Sequence, residues 1–173
     1  MFNIQKIVIE HFVKELKSAY YETYSTLEPD FGNIIAWTGR LALENIANSD
    51  TLYHNVDHTI MVTLVGQAIL KGKHLCEGGV FPRDWLHFMI ALLCHDIGYV
   101  KGICRMDAGN IVATGRGEET VRVPSGGTSA VLKPYHVDRS KLFVRERFGA
   151  QQLLVDIDVD LIANYIEMTR FPI

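Results

Sequence analysis

Apolar residues return every three to four positions from the start of the chain. Ile7, Val8, Phe12, Leu16 and Ala19 mark one helical stripe, and a second pattern covers Ile34 to Ala47 after the turn-forming stretch Pro29-Asp30-Phe31-Gly32-Asn33. Asn48-Ser49-Asp50 closes that second helix. A third is predicted from Asn55, placed to cap it, through Met61, Leu64, Val65, Ala68 and Ile69 to a stop at Lys71-Gly72-Lys73. Past Gly78-Gly79, Pro82 occupies a first-turn position, and Trp85 to Cys94 is apolar almost all round, as suits a central buried helix ended by Gly98. The character then changes: Ile111-Val112 and Val121-Arg122-Val123 flank Thr114-Gly115-Arg116-Gly117, which predicts a small β-hairpin within 110–124. Helices resume over Arg139 to Phe148 and Asp160 to Thr169, and Pro172 discourages continuation. The expected fold is an all-α bundle with one inserted hairpin, a single domain over residues 1–173.

Composition narrows the function classes. With 173 residues, 48% of them hydrophobic, the chain can bury one substantial core. Net charge is −3 and the longest basic grouping is Arg145-Glu146-Arg147, so no surface for tracking nucleic-acid phosphates is expected. Polar residues Gln5, Lys6, Glu10, His11, Lys14 and Glu15 interrupt the first stripe, which excludes a signal-peptide core or membrane span there. Cys76, Cys94 and Cys104 are widely spaced and form no CxxC pair. That argues against a disulfide framework and a thiolate zinc site, and fits a cytoplasmic setting.

Two polar clusters punctuate otherwise apolar helices: Tyr53-His54-Asn55-Val56-Asp57-His58 before the third helix, and His95-Asp96 at the end of the fourth. Imidazole and carboxylate together suit borderline divalent metals, and a His-Asp pair at a helix end can turn both side chains into one cavity. Each cluster also has a plain reading. A His-Asp dipeptide can simply end a helix, with the carboxylate bonded to nearby backbone, and two histidines four apart can be a surface pair. Their conjunction is what favours a site.

The pattern Tyr53-His54-Asn55-xx-His58, followed by His95-Asp96, resembles the motif of cyclic-nucleotide phosphodiesterases within the wider HD phosphohydrolase superfamily, over roughly Ala36 to Val100. The resemblance implies that His58, His95 and Asp96 are metal ligands, that His54 donates a proton to the leaving group, and that Asn55 supports it. One or two divalent ions (Fe, Mn, Zn, Ni or Mg) are implied, with metal-bound water as nucleophile and a small phosphoester, nucleotide or cyclic nucleotide as substrate. The chain also departs from the phosphodiesterases: His95-Asp96 continues as Ile97-Gly98-Tyr99-Val100 without their further histidine, and their nucleotide-clamping glutamine has no counterpart. The likeness is therefore to metal-dependent phosphohydrolases in general.

HD enzymes take a last Asp ligand from a later helix. Asp138, Asp156, Asp158 and Asp160 are available, but Asp156-Ile157-Asp158-Val159-Asp160 reads more simply as a helix cap. None is assigned, and since Ile166 to Ile173 resembles the run into the Asp-bearing helix, a ligand beyond Ile173 is the expectation. His136 and Arg139, in Pro134-Tyr135-His136-Val137-Asp138-Arg139, are candidates to face substrate, and Arg170 to bind phosphate. A metalloprotease of the HExxH type is excluded because Asn55 stands where the general-base Glu must be. Ser125-Gly126-Gly127-Thr128 lacks the lysine and spacing of a phosphate-binding loop. The alternative to an enzyme is a catalytically inactive metal-binding sensor or partner-binding domain. Apolar surface left by an absent helix would favour homo-oligomers.

Overall fold

In the computed structural model, which describes residues 3–149 and 156–171, helices carry most of the chain. They are α1 (Ile4–Tyr24), α2 (Asp30–Ile46), α3 (Val56–Glu77), α4 (Pro82–Cys94), α5 (His136–Phe148) and α6 (Val159–Glu167). A 3-10 turn over Ile97–Tyr99 follows α4, and a second spans Ser129–Leu132 ahead of α5. Between them β1 (Ile111–Ala113) and β2 (Thr120–Arg122) pair antiparallel, with Val112 opposite Val121. The all-helical architecture with one small hairpin is thus the one expected. Pro172 and Ile173 lie outside the described residues.

Helix α4 is the axis. Its Trp85, Leu86, Met89, Ile90, Leu93 and Cys94 are buried, and α2, α3 and α6 all pack on it. Pro82 at its start lacks an N–H that the first turn would leave unpaired anyway, while Asp84 accepts the Phe81 N–H at 2.9 Å. One continuous core joins these residues to Leu16 and Tyr20 of α1, Ile35 and Leu43 of α2, and Phe143 and Phe148 of α5. Beneath the hairpin a smaller cluster gathers Tyr99, Val112, Val123 and Leu132. Among the described residues no helix is long and apolar enough to cross a membrane.

Four local expectations are corrected. The buried stripe of α1 is Ile9, Phe12, Val13, Leu16, Tyr20 and Tyr24, whereas Ile7 and Val8 are exposed because they lie off the helix face that Ile9, Phe12, Val13 and Leu16 share. Helix α2 starts at Asp30, a turn earlier than expected, since an acid in the first turn suits the helix dipole. Helix α3 runs through Gly72, whose cost of about 1 kcal/mol in a helix interior is bearable, and stops at Gly78, which takes a left-handed φ of 67°. Gly98 does not terminate α4; it lies in the following 3-10 turn, where α5 comes so close that a Cβ would sit 1.9 Å from the His136 carbonyl oxygen.

Candidate metal centre

Three element ends meet at the centre. Asn55 caps α3 from an extended conformation, its side-chain oxygen accepting the His58 N–H at 3.0 Å, and its amide nitrogen donates to the Leu52 carbonyl at 3.1 Å. Both ends of that amide are therefore used on backbone. Asn55 thereby fixes the start of α3 between His54 and His58. Thr51 Oγ1 donates to the His54 carbonyl at 2.7 Å and holds the approach to the cap.

His95 and Asp96 leave the buried end of α4 where the chain tightens into its 3-10 turn. Ser140 of α5 fixes that turn from outside: its hydroxyl donates to the His95 carbonyl at 2.8 Å and accepts the Gly98 N–H at 2.9 Å. The same helix brings His136 to the cavity at its first residue.

The carboxylate of Asp96 is the hub. Its Oδ2 lies 2.7 Å from His54 Nδ1, 3.0 Å from His95 Nε2 and 3.2 Å from His58 Nε2. Its Oδ1 is 4.0 Å from His136 Nε2. Donor atoms of His54, His58 and Asp96 all fall within 4.8 Å of one another, so this group could hold a metal ion. Backbone carbonyls set two ring orientations: His95 Nδ1 donates to Leu92 O at 2.7 Å and His136 Nδ1 to Lys133 O at 2.6 Å. With Nδ1 donating to a carbonyl, Nε2 of each ring is turned toward Asp96, the orientation in which a metal-ligating histidine presents that nitrogen. Tyr99, buried beside them, stacks on His54 at 4.5 Å and on His136 at 4.4 Å between ring centroids. Tyr53 lies 4.7 Å from the His58 ring and is largely exposed, forming one lip of the site.

Burial and the Asp96 charge set the electrostatics of the centre. Burial alone would raise Asp96, but hydrogen bonds from His54 and His95 outweigh it and hold the carboxyl well below its usual range. Burial pushes His58 and His136 down, toward the neutral imidazole that a metal needs. At His95 burial acts in the same sense, yet the hydrogen bond and charge of Asp96 prevail and raise it. The Tyr99 phenol, buried near the Asp96 charge, is pushed up to about 12 and stays protonated.

Other expected groups lie elsewhere. Arg139 is wholly buried and spends its donors on the carbonyls of Gly98, Val100 and Ala113 and on the Asp107 carboxylate. It is a structural pin, and its expected substrate role is corrected: no N–H is left to offer. Asp138 is held by Arg116, Lys141 and Arg170. Asp156 pairs with Arg83, Asp158 caps α6, and Asp160 pairs with Arg145. The later-helix group that does reach the centre is His136. Tyr99 and Ser140 carried no sequence signal beyond their types, because what recruits them is a fold contact some forty residues away in the chain.

The chain belongs to the Npun_R2479-like family, whose family model matches residues 2–173. No curated protein and no solved structure matches it.

Proposed function

We propose that this chain is a metal-dependent hydrolase of a small phosphoester, with His58, His95 and Asp96 as ligands and His54 as general acid. The observation that carries the reading is the convergence of three imidazoles on one carboxylate oxygen of Asp96. Nitrogen and oxygen donors in that ratio fit a borderline divalent ion. Such an ion, when bound, supplies Lewis acidity for a phosphoryl oxygen and acidifies water. The protein's own groups do the rest. Asp96 accepts a hydrogen bond from His54 Nδ1–H, so that the ring in its imidazolium form can give the Nε2 proton to a leaving oxygen and remain neutral with its Nδ1 proton in place, while Tyr99 stacks on the ring. Tyr53, at the lip, offers an aromatic face to a substrate.

One observation favours the second reading, a metal-binding sensor or partner-binding domain without turnover. The two arginines expected to meet phosphate are both committed to carboxylates, Arg139 to Asp107 and Arg170 to Asp138 and Glu167. The deciding experiment is elemental analysis of protein purified without chelator, together with a panel of phosphomonoesters, phosphodiesters and nucleotides. Release of phosphate or nucleoside that tracks metal content supports the hydrolase; stoichiometric metal with no turnover across the panel supports the sensor.

A further inference from the structure

We propose that His136 is the ligand supplied by the later helix, so that the centre holds a single first-row ion of the Fe2+, Co2+, Ni2+ or Zn2+ class through three imidazoles and one carboxylate. This rests on the metal-binding reading above. Two donors on one ion, with bonds of about 2.0–2.2 Å, lie roughly 2.8–4.4 Å apart depending on whether they are adjacent or opposite. The separations of His95 and His58 from Asp96 Oδ2, 3.0 and 3.2 Å, and that of His136 from Oδ1 of the same carboxylate, 4.0 Å, fall in that range. The His136 ring is prepared as the His95 ring is: each gives its Nδ1 proton to a backbone carbonyl three residues earlier and turns Nε2 inward. His54 differs in the atom that it offers, since it meets Asp96 Oδ2 through Nδ1, at 2.7 Å.

The alternatives are occupied. Asp138, Asp156, Asp158 and Asp160 are each engaged with cations or with a helix cap, so among the described residues after Asp107 no aspartate reaches the cavity. A second ion needs further oxygen donors, and among the described residues Asp96 is the one carboxylate at the centre. A nitrogen-rich set disfavours Mg2+, which demands oxygen ligands.

The test uses the unaltered chain labelled with 15N-histidine. On loading with Zn2+, the side-chain Nε2 resonances of His58, His95 and His136 should shift as ligated nitrogens, with one ion per chain by elemental analysis and no displacement by excess Mg2+. His136→Gln should weaken Zn2+ binding by roughly tenfold to a hundredfold while leaving circular dichroism unchanged. An unshifted His136 Nε2 in a chain that still takes up Zn2+ overturns the assignment and spares the metal reading. Two ions per chain also overturn it. No uptake of Zn2+, Co2+ or Fe2+ at all removes both.

A separate observation concerns α3, which is turned inside out. Its buried residues are Val56, Thr59, Thr63 and Gly66, whereas Met61, Leu64, Val65, Ile69 and Leu75 are exposed, four of these five by more than half. No charged residue occurs between His58 and Lys71. We infer that this face binds a second copy of the chain, α3 against α3 and antiparallel. The face is self-complementary about a two-fold axis through Ala68, which sets Met61 opposite Leu75 and Leu64 opposite Gly72. Small residues at 68 and 72 let the backbones approach. Summed over two copies, the exposed parts of these five side chains approach the roughly 1,000 Å² at which a specific interface begins.

Sedimentation should show a dimer at micromolar concentration that Val65→Lys with Ile69→Glu dissociates. In a Cys76→Ser background, Ala68→Cys should cross-link two copies on oxidation. A monomer at every concentration overturns the inference, as does a dimer indifferent to these changes or a face filled instead by another protein.

Discussion

Arg139 and Asp107 face each other as a bidentate pair, Nη1 to Oδ1 at 3.1 Å and Nη2 to Oδ2 at 2.9 Å, with side chains 0% and 1% exposed. Through the same guanidinium, α5 is tied to the turn after His95-Asp96 and to the hairpin. Replacing the cation leaves a buried carboxylate unpaired. Arg139→Met should therefore lower stability by about 3–5 kcal/mol, read as the urea midpoint, and Asp107→Leu in the same chain should restore part of it. A change confined to KM, with stability intact, would return Arg139 to the substrate.

The contrast between Arg139 and Asn55 shows what the sequence could carry. Asn55 acts on the N–H of His58, three residues on, so its spacing and residue type announced the cap. Pro82 and the hairpin were legible for the same reason. Arg139 acts on Gly98 and Val100, some forty residues earlier, and nothing local separates such a pin from a phosphate ligand. Periodicity likewise drew the stripe of α3 without saying whether anything covers it, and the buried side of that helix is the Thr59–Thr63–Gly66 side instead. His54, His58, His95 and Asp96 were found by local pattern, and His136 was noticed but given to the substrate, since only the packing of α5 on the 3-10 turn puts it at the hub.

Roles within the first cluster separate by mutation. His54→Ala should keep metal content nearly intact and slow turnover about a hundredfold, whereas His58→Ala should lose the metal. Loss of metal in His54→Ala as complete as in His58→Ala would make His54 a ligand, as its grouping with His58 and Asp96 allows.

Acid should loosen α6 through a residue remote from the centre. His87 is buried on α4, and its Nε2 accepts the N–H of Asp158, the cap of α6, at 2.8 Å. Burial lowers its pKa from the ordinary 6.5. A depressed histidine stabilises the fold fully above the unfolded value, and that contribution shrinks as pH falls, because the unfolded chain takes up the proton first. Stability should decline as pH drops below about 6.5, with the loss of the Asp158 bond seen as faster amide exchange in α6. His87→Gln should flatten that part of the profile. An unchanged profile in the variant would assign the acid sensitivity to other groups.

Gly98 offers the most direct probe of how the fold places the centre. An added Cβ there would lie 1.9 Å from the His136 carbonyl oxygen, 2.7 Å from its carbonyl carbon and 2.9 Å from the Ser140 nitrogen, all backbone atoms that cannot rotate away. The only relief is for the first turn of α5 to retreat from the 3-10 turn. Retreat would open the Ser140 bridge to His95 and Gly98 and draw His136 Nε2 away from Asp96. Gly98→Ala should thus cost roughly 1–3 kcal/mol as an overpacked contact. It should also weaken Zn2+ binding in the folded fraction, where an ordinary core defect would leave affinity alone. Thermal unfolding and Zn2+ titration at a temperature well below the midpoint read the two effects separately. Lost stability with unaltered affinity would mean that His136 contributes nothing to holding the ion, whatever its distance from Asp96.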